Sequence, residues 1–156
     1  QTPDYGPLPL EISELGFIAI LFHDTGYLKN KGDLNGTGAK YAFQHVERSQ
    51  AFANQWMLQN SFDQEARSAV KSMIQNTDFS KDTTPVLFTT SVHELVGCMV
   101  GTADLLGQMA SPDYITKLPL LHREMIEALK QGQAAGILIE IPKSLQYLLR
   151  STPVFF

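Results

Sequence analysis

Hydrophobic positions recur at three- and four-residue steps from Glu11 onward. Leu15, Ile18 and Phe22 share a face, and Gly26 stands just beyond them as a stop. The spacing predicts a first helix that places His23 and Asp24 at its C-terminus. It follows an irregular lead-in, "QTPDYGPLPL", rich in proline. "KNKGDLNGTG" reads as a polar loop, and a long helix is expected from about Ala39 to Leu58, with Tyr41, His45, Phe52 and Trp56 on its inward face. Ser61 and Gln64 have capping-box spacing ahead of an amphipathic stripe of Ala66, Ala69, Val70, Met73 and Ile74. After the loop "NTDFSKDTTP", residues 88–109 read as a central helix whose Gly97, Gly101, Ala103 and Gly107 admit close neighbours. Ser111 and Pro112 form an N-cap and first-turn pair, opening a helix that Pro119 should kink and Gly132 should end. "AGILIEI" is either a short strand or another helical turn, and "PKSLQYLLRS" a final helix. Strand signals are scarce, so the fold class is all-α, with about six helices.

A length of 156 residues suits one domain, and 44 % hydrophobic against 18 % charged residues suits a packed core rather than disorder. The net charge of −4 offers no basic footprint for nucleic acid or an anionic membrane. Cys98 is the single cysteine, so no internal disulfide can form, and a mid-helix position among apolar neighbours makes it a small hydrophobe. No signal peptide is visible, and no apolar run approaches the roughly 20 residues that span a bilayer. A soluble, cytoplasmic protein is expected. Neither a Walker loop nor a dinucleotide fingerprint occurs.

Asp104, in "VGCMVGTADLLGQM", is a lone carboxylate in an apolar helix and needs a partner. A helix–helix hydrogen bond, or a salt bridge to Arg48 or Arg67, would serve. His23 and Asp24 raise the same difficulty on another helix, and His45 on a third. One divalent ion would offset all these costs, because it takes neutral imidazole nitrogen and carboxylate oxygen together. Such a mixed donor set suits Mn, Fe, Zn, Co or, less well, Mg. A metal-free polar network is the plainer alternative. His93 lies eleven residues before Asp104, roughly 16 Å along a helix axis, too far to share an ion with it. His122 reads as a boundary residue of "LLHREMIEALK".

The order "FHDTGYL", then "HVERS", then "TADLLGQ", from about Ile12 to Gln108, resembles the HD-domain superfamily of metal-dependent phosphohydrolases. The resemblance implies an HD-domain-like helical bundle in which His23, Asp24 and Asp104 hold a metal. His45 matches a further histidine that, in some members, helps bind a second metal or lines the pocket. The family's first histidine, on the helix before the doublet, has no counterpart among residues 1–22. The absent initiator methionine favours a single domain over residues 1–156 that lacks the helix carrying that histidine, rather than a degenerate relative. The activity this implies is metal-dependent hydrolysis of a phosphomonoester or phosphodiester on a small phosphorylated molecule or nucleotide. Asp24 and His45 would be the catalytic groups, with Asp24 against the attacking water, and Lys29 and Arg48 would grip phosphate oxygens. The competing reading is a catalytically degenerate HD domain acting as a sensory or scaffold module. Beyond the substrate, neither nucleic acid nor membrane is an expected partner, and oligomers are allowed for.

Overall fold

Pro9, with φ at −57° and no N–H to satisfy, turns the chain directly into α1, Leu10–Phe22. In the computed structural model, which describes residues 6–78, 85–134, 144 and 146, four further α-helices follow. They are α2 (His45–Gln59), α3 (Gln64–Gln75), α4 (Ser91–Met109) and α5 (Tyr114–Ala134), with short 3-10 turns at Thr25–Tyr27 and Gly38–Tyr41. No strand occurs among the described residues, so the all-α class holds. The segments "AGILIEI" and "PKSLQYLLRS" lie outside the described residues except for Ser144 and Gln146. No described helix is long and apolar enough to cross a membrane.

The chain divides into two compact units. The first takes in the chain up to Gly26 together with Gln44–Gly107. Its core joins Leu15 and Ala19 of α1, Met57 of α2, Met73 and Ile74 of α3, and Val96 and Val100 of α4. Met57, Met73 and Ile74 are wholly buried, each worth about 1.5–3 kcal/mol relative to an exposed side chain. α3 packs on both α1 and α2. α1 meets α4 closely at Gly16, where a Cβ would stand 2.6 Å from Val96 Cγ1.

Several elements differ from the sequence pattern for identifiable reasons. α2 begins at His45, because Thr37 accepts a hydrogen bond from Ala39 N and winds the preceding residues into a 3-10 turn instead. Its buried face is Val46, Ser49, Gln50, Ala53 and Met57, whereas Phe52 and Trp56 are 51 % and 38 % exposed. The helix phase is held by polar bonds: Gln50 Nε2 donates to Lys71 O at 2.9 Å and to Gln75 Oε1 at 3.0 Å. Asp63, not Ser61, caps α3 by accepting from Ala66 N at 2.8 Å, while Ser61 turns the chain with φ of 63°. α4 starts at Ser91, with Thr90 Oγ1 accepting from His93 N, and Cys98 on it is exposed rather than packed. α5 starts at Tyr114, runs through Pro119 and continues past Gly132.

The second unit comprises Tyr27–Phe43 and the chain from Gln108. Its loop is organised by charge. The Lys40 ammonium pairs with Asp33 and donates to Asn35 O at 2.7 Å, Tyr41 OH donates to Asp33 Oδ2 at 2.7 Å, and Lys29 Nζ donates to Gly36 O at 2.8 Å. Glu127 of α5 accepts from Thr37 N at 2.6 Å and from its hydroxyl at 2.8 Å, tying the loop to the helix. The Lys40 ammonium, with Tyr41 and Asn35 N, pulls the Asp33 carboxyl down from 3.8 to about 2. A depressed carboxylate stabilises fully above its ordinary value and ceases to as it becomes protonated. Amide protection in residues 30–41, relative to the intrinsic exchange rate, should therefore fall as pH falls from about 3.8 through about 2, and Asp33→Asn should remove that pH dependence.

Candidate metal centre

The doublet is placed by the end of α1. His23 is its C-cap residue, still in helical conformation, and Thr25 Oγ1 donates back to Phe22 O at 2.7 Å. The first turns of α2 clamp the turn beyond the helix end. The fully buried Ser49 hydroxyl donates to His23 O and accepts from Gly26 N at 2.8 Å. Arg48 Nε donates to Gly26 O at 2.7 Å. Gly26 itself lies against the His45 backbone so closely that any Cβ there would collide with the His45 carbonyl. Three backbone groups around the doublet are thus fixed by residues of "HVERS".

The ring of His23 is oriented just as strictly. Its Nδ1 stands 2.7 Å from Ile20 O, and since a carbonyl can only accept, Nδ1 carries the hydrogen. In the neutral ring Nε2 is therefore a bare lone pair. That atom is buried and makes no directed hydrogen bond. Two carboxylate oxygens face it, Asp24 Oδ2 and Asp104 Oδ1, each at 3.3 Å. A lone pair ringed by two carboxylates is repulsive, so a positive charge belongs between them.

A proton is one solution. Asp104 first, and Asp24 second, pull the His23 imidazole up from 6.5 to about 10, against the opposing effect of burial. The same contact, with the nearby charges of His23 and His45, holds the Asp24 carboxyl below its ordinary range. A metal ion is the other. Two donors each about 2.1 Å from one ion stand about 3.0–3.4 Å apart, which the 3.3 Å separations match. The Nδ1–H to Ile20 O is a bond of the kind by which metal-binding histidines generally have their tautomer fixed. Imidazole nitrogen and carboxylate oxygen are donor types that a divalent ion takes together. Among the described residues no group of three or more His, Cys, Asp or Glu is arranged to hold a metal ion; what converges is two carboxylates on one imidazole nitrogen.

Family models, curated proteins and solved structures contain no match to the chain. Its chemistry is therefore read from its own geometry. His23, Asp24 and Asp104 come together although Asp104 lies 80 residues further along the chain. His45 meets the doublet's turn through its backbone at Gly26. Arg48 supports the doublet's turn through Nε. Lys29 belongs to the second unit, where its ammonium bonds Gly36 O. Asp104 is partnered by His23 rather than by Arg48 or Arg67: Arg67 bonds Asn54 and Gln64. Sequence reasoning passed over Ser49 and the Ile20 carbonyl. A serine on the face of Val46, Ala53 and Met57 was the available signal for Ser49, since a buried hydroxyl must serve some backbone group.

Proposed function

We propose that this chain is a metal-dependent phosphohydrolase of HD-domain type, acting on a small phosphorylated molecule. The observation that carries the reading is the buried His23 Nε2, its ring oriented by the Nδ1 bond to Ile20 O, facing one carboxylate from the turn after α1 and one from α4. His23, Asp24 and Asp104 would hold a divalent ion. When bound, such an ion supplies positive charge against phosphate oxygens and makes a water acidic near neutrality.

The chain's own groups would do the rest. Asp24, whose side chain is 59 % exposed beside the more enclosed His23, faces solvent and is placed to take the proton of the attacking water. Water oxygen bonds to phosphorus, the ester P–O bond breaks, and the leaving oxygen takes a proton. His45, at the start of α2 against the doublet's turn, is the group proposed to give that proton. Arg48 holds the turn and keeps the doublet in register. Arg48 remains the proposed phosphate-binding cation of this site. The competing reading, a sensory or scaffold module, keeps the helical bundle, with or without a metal, and lacks turnover.

Protein purified without chelators should carry about one divalent ion per chain by elemental analysis. With added Mn it should hydrolyse p-nitrophenyl phosphate or its bis-ester, and a chelator should stop it reversibly. Bound metal without turnover on either ester would favour the sensory module. No metal, together with no hydrolysis, would refute the phosphohydrolase and favour a metal-free polar network.

A further inference from the structure

Glu11, Ser13 and Glu14 are the only polar side chains among the thirteen residues of α1. A helix apolar on every side is ordinarily covered on every side. Here the first unit covers one face, burying Leu15, Gly16 and Ala19, while Leu10, Phe17 and Leu21 are 71 %, 68 % and 75 % exposed. Separations of seven and eleven residues put those three side chains on one stripe. Phe52 and Trp56 of α2 extend the apolar surface, linked to α1 by Phe22, whose ring lies 5.8 Å and 5.3 Å from theirs. Single exposed apolar residues are ordinary; a continuous row is an interaction surface.

Charge identifies what covers it. Helical spacing sets Glu14 and Glu11 along one edge of the stripe and uncharged Ser13 along the other. Neither glutamate has an ion-pair partner among the described residues. α1 contains no Lys or Arg, so a second copy of α1 would offer these carboxylates no counter-charge. We propose that this face docks an amphipathic helix of a partner protein, its apolar row lying along Leu10, Phe17 and Leu21 and its Lys or Arg residues along the edge that meets Glu11 and Glu14. Desolvating the row supplies affinity, and the one-sided charge sets the direction and register of docking.

The test uses the whole chain and two synthetic helices of about 20 residues with the same leucine row, one edged with Lys and the other with Glu. Fluorescence anisotropy at low salt should show saturable, one-site binding of the Lys-edged helix, at least about tenfold tighter than the Glu-edged one. Glu14→Lys should reverse the preference, and Phe17→Glu should abolish binding with the circular dichroism spectrum unchanged. Equal binding of both helices, binding of neither, or binding indifferent to Glu14→Lys overturns the proposal. So does a sedimenting dimer that Phe17→Glu dissolves, because the face would then belong to a second copy.

Discussion

Asp104→Asn should lower metal-dependent phosphoester hydrolysis by at least about a hundredfold while leaving the helices intact. The substitution keeps the side chain's shape and removes its charge. In the present arrangement Asp104 Oδ1 stands 3.3 Å from His23 Nε2 and is the foremost reason that this ring attracts positive charge. With a neutral amide in its place, an ion would keep His23 and Asp24 and lose the one donor that ties α4 to the doublet. The fold has little stake in that charge. The Asp104 side chain is 29 % exposed, and α4 is held in the core by Val96 and Val100. Turnover with Mn, metal content and a thermal melt on the same sample separate the two roles. Hydrolysis near the wild-type level would remove Asp104 from the chemistry, and a loss of helicity matching the loss of turnover would make it a packing residue.

Gly26→Ala should cost about 1–3 kcal/mol of stability in urea unfolding, and should weaken metal binding at least about tenfold although Gly26 offers no ligand. The added Cβ meets the His45 carbonyl, and a backbone at the start of a helix cannot swing aside as a side chain could. The turn itself must move, and with it Gly26 N, bonded to Ser49, and Gly26 O, bonded to Arg48. His23 is carried along, since Ser49 also holds its carbonyl. Ser49→Ala is the companion measurement. It leaves Gly26 N–H buried without an acceptor, at about 1–3 kcal/mol, and introduces no clash. If Gly26→Ala binds metal as the parent does, the clamp from α2 has no bearing on the site.

The parts of the fold legible in the sequence were those with a clean period. The stripe of Ala69, Val70, Met73 and Ile74 marks α3, and two glycines of α4 face close neighbours, Gly97 beneath Phe88 and Gly101 against Asn76, whereas Gly107 faces open space. α2 was harder. Its large aromatics, Phe52 and Trp56, look like core, yet the small and polar Ser49, Gln50 and Ala53 are what the packing buries. Those residues are selected by long-range partners, the Gly26 amide and Lys71 O, that no local pattern displays. The site divides in the same way. The doublet and Asp104 stood out because ionisable groups in apolar helices need partners. The bonds that hold the doublet's turn from Ser49 and Arg48 were invisible because each depends on how the chain folds back on itself, and the local one to Ile20 O because it depends on the ring's rotamer at the helix end.

Crystals soaked in Mn and measured for anomalous scattering provide the most direct test. The expected result is one strong peak within bonding distance of His23 Nε2 and an oxygen of Asp104, with Nδ1 still donating to Ile20 O. Absence of a peak there at saturating Mn, with His23 Nε2 paired to the two carboxylates as before, would show that the site holds a proton and nothing heavier.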